Sequence, residues 1–317
     1  MFHVNAWGIP YSAPMAGAKL VFPGPNLDGK SLYDLFEAEG VTCSAGVPTV
    51  WQGLLAHTEA NGLAFSTMKR TVIGGSACPP AMTRLFEEKY GVHVLHAWGM
   101  TEMSPLGTVC SFKPKHATQG AEAQRAIQAK QGRVIFGVDM RVVGEDGGEL
   151  PWDGKAFGGL LVRGPWVLSR YYREDRDPLA ADERGRGWFP TGDVVTIDAD
   201  GYMHITDRTK DVIKSGGEWI SSIEIENIAV AHPAVAMAAC IAVPHPKWDE
   251  RPLLVVMRKP GAEVTREELL AFYEGKVAKW QVPDDVAFVD SIPLGATGKM
   301  LKNRLREQFS DYRRPEQ

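Results

Sequence analysis

One stretch matches a phosphate-binding pattern outright. Gly24-Pro-Asn-Leu-Asp-Gly29-Lys30-Ser31 has the spacing GxxxxGK[ST] between a strand-like and a helix-like segment. Such a loop works by aiming successive backbone N–H groups at an anion. Pro25 removes one of those donors, and Asp28 sets a carboxylate where the anion would lie. No companion strand ending in a magnesium-binding Asp is apparent, so the match reads as accidental, with a P-loop NTPase or kinase kept as the alternative. Four other clusters agree in order along the chain: His96-Ala-Trp-Gly-Met-Thr-Glu102, Thr191-Gly192-Asp193, Asp207 to Ile220, and Pro293-Leu-Gly295-Ala-Thr-Gly298-Lys299. Each alone has a plain explanation: glycine pairs make turns, Trp98 fills a core, Asp193 is a turn residue, and Lys299 begins a basic tail.

In this order and spacing the clusters resemble the adenylate-forming (AMP-binding) superfamily, specifically the acyl-CoA synthetases. The opening Met1-Phe-His3-Val-Asn-Ala-Trp-Gly8 is similar to that family's mid-domain motif, and Gly74-Gly75-Ser76-Ala77 to its nucleotide-side loop. The stretch from Lys279-Trp-Gln-Val-Pro283 to Arg306 is most similar to medium- and long-chain fatty-acid or related small-acid CoA ligases.

The resemblance implies a two-step reaction with ATP, Mg²⁺ and coenzyme A. A carboxylic acid attacks the α-phosphate to give acyl-adenylate and pyrophosphate, and the thiol of coenzyme A then displaces AMP. Gly75, Ser76, Ala77, Trp98, Gly99, Met100, Thr101, Asp193 and Arg208 are implied to bind the nucleotide: Trp98 as a face for adenine, Thr101 on phosphate, Asp193 and Arg208 on the ribose. Glu102 supplies a hard oxygen for Mg²⁺. Lys299 is the implied adenylation lysine, since attack of one anion on another needs a bridging cation. Lys210 falls at the family's hinge, Gly216 and Gly217 line the pantetheine channel, and His3 lies near the acyl pocket. The family's Gly/Ser/Thr-rich phosphate loop lies upstream of the Phe-His motif, where this chain begins. The expectation is therefore a chain lacking the N-terminal portion of the large domain, with a catalytically silent remnant as a further alternative.

The elements that must position these residues follow from periodicity. Residues 18–22, 41–47 and 69–73 read as strands, with helices at 31–39 and 80–90, an alternation that implies a mostly parallel sheet. From about 133 the pattern turns β-rich, with strands at 134–143, 159–163 and 194–197. The Asp200-Gly201 pair between alternating apolar residues reads as a hairpin. Residues 113–131 read as a mobile excursion. Ser221 with Glu224, and Thr265 with Glu268, read as capping boxes, and further strands are expected at 236–243, 253–258 and 286–289. The fold class is α/β: residues 1–206 as the C-terminal part of an adenylate-forming large domain, then 207–317 as a mobile α+β lid.

The length of 317 residues suits about two domains. A hydrophobic share of 44% and a net charge of −4 exclude bulk disorder and give no footprint for nucleic acid. Cys43, Cys78, Cys110 and Cys240 lie far apart without a CxxC pair, so neither a zinc ribbon nor a disulfide framework is expected and the cytoplasm is the expected compartment. The longest apolar run, 234–243, is about half a membrane span. The chain reads as soluble and unprocessed; the acid's chain length is not legible, and a homo-oligomer stays open.

Overall fold

The computed structural model describes residues 2–144, 146–295 and 299–312. Its chain divides into two compact units: Met1–Thr191 with Val195–Ile205, and Gly192–Val194 with Thr206–Gln317. Met1, Ala296, Thr297 and Gly298, all within the motifs above, lie outside the described residues.

The first unit carries a ten-stranded sheet. Strands β1 (Cys43–Gly46), β2 (Arg70–Ile73) and β3 (His93–Gly99) run parallel, with Cys43 beside Arg70 and Arg70 beside His93. A helix at Gly29–Glu39 precedes β1, and the chain between the strands is helical at Pro48–Ala60 and Pro80–Arg84, the last running on into a π-turn over Leu85–Lys89. Leu32, Phe36, Trp51, Leu54 and Phe86 from these segments bury against Ile73 and Val94. Beyond β3 the sheet becomes antiparallel through β4 (Leu106–Val109) and β5 (Gly132–Val134). Strands β6 (Asp139–Val143), β7 (Phe157–Arg163), β9 (Gly187–Ile197) and β10 (Tyr202–Arg208) complete the order β5-β10-β9-β7-β6, and a short β8 (Ala180–Ala181) pairs with β9. The Asp200-Gly201 turn joins β9 to β10, with the Asp198 carboxylate accepting from the N–H of Asp200 and Tyr202 at 2.8 and 3.0 Å.

Three expectations are corrected. Residues 18–22 form no strand: an apolar run becomes a strand only by pairing, and here Lys19 is drawn to Glu39 while Phe22 stays exposed. The strand expected over 134–143 is two, broken at Gly137. Gly137 has φ 92°, and a Cβ there would stand 2.5 Å from the Trp166 ring, so only glycine lets the chain turn against that indole. The excursion at 113–131 holds two helices, Pro114–Ala117 and Ala121–Gln128. It is pinned by buried His116, whose Nδ1 lies 3.1 Å from the Tyr202 hydroxyl and Nε2 3.2 Å from Asp200.

The P-loop alternative gains no support. Asp28 spends its carboxylate capping the helix at Gly29–Glu39, accepting from the Ser31 N–H at 3.0 Å, and the Lys30 ammonium turns to Asp34. The Ser31 N–H and the Lys30 ammonium, donors a phosphate would need, are both engaged locally.

The second unit is a five-stranded sheet of β11 (Ile213–Ser215), β12 (Glu218–Ile220), β13 (Val235–His245), β14 (Asp249–Arg258) and β15 (Asp285–Phe288), in the order β12-β11-β14-β13 with β15 parallel to β14. Leu254 and Val256 of β14 join one core with Ile225, Leu269 and Tyr273; Leu253 and Val255 join another with Ile241, Ile292 and Leu305. Burial on both faces is why β14 reads as an unbroken apolar run. Ser221 caps the helix at Ser222–Val230 through the Glu224 N–H, and Thr265 with Glu268 closes a full capping box. Among the described residues no helix is long and apolar enough to cross a membrane.

The Tyr202 hydroxyl donates to Ser111 O at 2.8 Å and accepts from the Lys113 N–H. Replacing Tyr202 with Phe removes both part-buried hydrogen bonds and should cost about 1 kcal/mol. The urea midpoint should fall and trypsin should cut sooner at Lys115 or Arg125. An unmoved midpoint would refute the pinning.

Candidate functional site

Parallel pairing of β2 and β3 sets their carboxyl ends side by side, where α/β sheets bind ligands. Gly74–Ala77 follows β2, and Gly99–Glu102 follows β3. A Cβ on Gly74 would stand 2.8 Å from Ala97 O, so the two backbones approach more closely than any other residue allows. Gly75 and Ala77 are half-buried and Ser76 is exposed.

Trp98 points inward. It is 7% exposed and packs with Met103, Val138 and Met140, with Gly107 against its ring. In this structure its face is covered, and stacking on adenine requires that face to be uncovered. The 3₁₀ turn Thr101–Met103 that follows is held at three points. Met103 is fully buried, the Leu168 N–H donates to Glu102 O at 2.8 Å, and the Ser104 hydroxyl donates to Trp166 O at 3.1 Å. Thr101 and half-buried Glu102 are thereby presented at the surface.

Two residues in this neighbourhood escaped sequence reasoning. The Tyr171 hydroxyl donates to Glu102 Oε1 at 2.9 Å, and burial together with that carboxylate pushes Tyr171 up to about 12. At 69 positions away, it left no pattern to find. His96 lies inside a quoted motif but is wholly buried, its Nε2 accepting from the Cys78 N–H at 3.3 Å and so tethering the loop after β2 to β3. Its Nδ1 has no hydrogen-bond partner among the described residues.

In the second unit Asp193, Arg208 and Lys299 come together. Thr209 donates its N–H and hydroxyl to Gly192 O at 3.0 and 3.1 Å, and the Thr206 hydroxyl reaches Val194 O, fixing 192–194 beside the end of β10. Buried Asp193 faces Arg208, with Oδ1 to Nε 3.6 Å. Burial and the Arg208 cation lower the Lys299 pKa, and Asp193 opposes them. Lys299 closes a tight loop through its carbonyl, which accepts from the Gly295 N–H at 2.8 Å.

Lys210 is exposed, and its carbonyl accepts from Arg306, which also pairs with Asp211. Gly216 and Gly217, at φ 61° and 87°, make the two-residue turn between β11 and β12. Half-exposed Trp248 backs that turn, its carbonyl accepting from the Gly216 N–H at 2.8 Å. His3 begins a stretch, His3–Trp7, whose φ of 47–60° is left-handed throughout. The cavity of about 490 Å³ in the first unit is lined by none of the expected residues. It lies among Arg141, Arg163, Arg186 and Trp188, and each of these three arginines is paired with a carboxylate.

Residues 1–172 match the family model for AMP-binding enzymes, and 224–299 that for the AMP-binding enzyme C-terminal domain. The chain is 57% identical over 311 residues to 3-methylmercaptopropionyl-CoA ligase of Ruegeria lacuscaerulensis, covering 98% of this chain and 57% of that protein. It is 52% identical to medium-chain-fatty-acid–CoA ligase of Ectopseudomonas oleovorans, over 98% and 56%. ATP-bound MatB from Rhodopseudomonas palustris superposes with a TM-score of 0.73 at 32% identity, over 90% of this chain and 54% of that one. The chain thus spans about half the length of the curated relatives it matches.

Burial lowers His96 to about 4, so the fold keeps the imidazole neutral. The unfolded chain takes up that proton first, and stability should fall by about 3 kcal/mol as pH drops from roughly 6.5 to 4, then level off. Urea midpoints across that range should show the slope in the wild type and lose most of it in His96→Gln. An equal slope in both would assign it elsewhere.

Proposed function

The chain belongs to the AMP-binding enzymes, and on that footing we propose that it supplies the ribose-binding, magnesium-binding and charge-stabilising groups of an ATP-dependent acid–CoA ligase. The gathering of Asp193, Arg208 and Lys299 in one unit carries this reading. A carboxylate oxygen attacks the α-phosphate and pyrophosphate leaves; the coenzyme A thiolate then attacks the acyl carbon and AMP leaves. The Asp193 carboxylate is an acceptor for the ribose hydroxyls, and Arg208 orients it. The Lys299 ammonium spans attacking carboxylate and phosphate, stabilising charge that grows in the transition state. Ser76, Ala77, Met100 and Thr101 lie where the nucleotide passes the strand ends.

Glu102 fits a magnesium ligand. Tyr171 occupies Oε1 and leaves Oε2, and no cluster of three or more carboxylate, His or Cys ligands exists among the described residues. One carboxylate completed by substrate phosphates is the usual mode for Mg²⁺, whose contribution when bound is neutralisation of phosphate charge. The relatives' names support a medium- or long-chain fatty acid, or a related small acid, as substrate. The partners are small molecules in the cytoplasm, a compartment consistent with four free cysteines. Gly216 and Gly217, with Trp248 behind them, form the wall for pantetheine, and His3 borders the acid. Lys210 is the pivot of the lid that begins at about 207.

The test is pyrophosphate release from MgATP with 3-(methylthio)propionate, octanoate or palmitate, beside thioester formation from pre-made acyl-adenylate. Lys299→Ala should lose roughly a hundredfold or more in the first half-reaction and only a few-fold in the second. Equal losses would make Lys299 a structural residue, and no turnover or nucleotide binding by the wild type would favour the silent remnant. Proline at Lys210 fixes φ near −65°, so Lys210→Pro should spare adenylation and slow thioester formation by orders of magnitude. Equal retention of both would place the pivot elsewhere.

A further inference from the structure

Lys302 opens the helix Lys302–Gln308, three residues beyond Lys299. Its ammonium is buried 2.6 Å from Glu226 Oε1 and donates to the Ser222 hydroxyl at 2.6 Å. Glu226 also accepts the Cys240 N–H of β13 at 2.7 Å. Asp207, almost fully buried beside this pair, accepts the N–H groups of Ser222 and of its own neighbour Arg208. One cation therefore joins the helix at Ser222–Val230 to the start of the last helix, and Asp207 of β10 is tied to the same helix through the Ser222 N–H.

Two of those elements carry residues assigned above to the nucleotide. Arg208 directly follows Asp207. Lys299 sits in a loop closed by the Leu294–Met300 bridge and by the Leu301 N–H donating to Pro293 O at 2.8 Å, immediately before Lys302. The Lys302 ammonium is enclosed by protein, so it cannot be the cation that meets phosphate. We propose that Lys302 is a positioning residue, whose buried contact with Glu226 and Ser222 beside Asp207 fixes the backbone that presents Lys299 and Arg208. This inference rests on the reading of Lys299 as the adenylation lysine. Burial opposes the charge of Lys302, but Glu226 and Asp207 outweigh it and hold its pKa above the ordinary value. One ammonium serves two carboxylates, so desolvation still pushes Glu226 and Asp207 up. A pair retained only for stability could be replaced by apolar groups at little cost; a positioning pair could not.

The experiment uses the full chain and four proteins: wild type, Lys302→Met, Glu226→Gln and Lys299→Ala. Brief acetylation with acetic anhydride across a pH series, read peptide by peptide by mass spectrometry, follows Lys299 against exposed Lys259. The two half-reactions are measured alongside. In Lys302→Met the Lys299 profile should move toward that of Lys259, and adenylation should fall roughly tenfold to a hundredfold, since small misplacements cost that much. Thioester formation from pre-made acyl-adenylate should stay within about threefold. Glu226→Gln keeps an acceptor for Lys302 and for Cys240, so it retains the fold and should show the same changes in smaller measure. An unaltered Lys299 profile in a folded variant of either kind would overturn the proposal, leaving Lys302 a purely structural ion pair. Intact adenylation in Lys299→Ala would instead overturn the reading of Lys299, while the acetylation profiles still judge Lys302.

Discussion

Among the described residues the second unit buries two cations, Arg251 and Lys302, and the second of these orders the segments that lead to Lys299 and Arg208. An unpaired ammonium in that position would be intolerable, so the Lys302 side chain dictates where Glu226, Ser222 and Asp207 must lie. Three segments distant in sequence then have little freedom relative to one another. The apolar cores on the two faces of the sheet can slide or repack at modest cost, but a charge contact cannot. Directional order in this unit therefore comes from its polar centre, and its bulk stability from the cores.

The first unit solves the same problem without charge. Its two strand-end loops are located by backbone proximity and by a neutral imidazole. His96 is placed by β3 and grips the loop after β2, and the surrounding apolar packing keeps that grip from being exchanged for water. Glu102 is presented by a turn anchored through Met103 and two backbone contacts. Each device uses groups other than Thr101, Glu102 and Ser76, so Thr101 and Ser76 stay exposed and Glu102 half-buried.

Local chemistry was the legible part of this sequence. The Asp200-Gly201 hairpin and the caps at Ser221 and Thr265 need only neighbouring residues, and each stands where its pattern placed it. Residues 18–22 failed because strand formation depends on a partner. Residues 113–131 failed because what orders them, the Tyr202 hydroxyl, is some ninety positions away. The motifs around Trp98, Asp193 and Lys299 were visible as clusters, but the inward turn of Trp98 was not, since it depends on Gly107 and Met103 meeting the ring. Tyr171 and Lys302 carried no motif of their own, and only the folded chain brings them to Glu102 and Glu226.

The pairing of β5 with β10 has a consequence during synthesis. Gly132 and Arg133 find their partners in Met203 and Tyr202, so β5 waits with one side unpaired until about seventy further residues have left the ribosome, roughly 4–14 s at ordinary elongation rates. Strands β6, β7 and β9 are all made within that interval and join the sheet farther from β5 than β10 does. The last-made strand of the sheet is thus inserted between earlier ones rather than added at a margin. Through that interval the open side of β5 is exposed to pairing with a neighbouring polypeptide, and faster synthesis of residues 134–202 shortens the exposure.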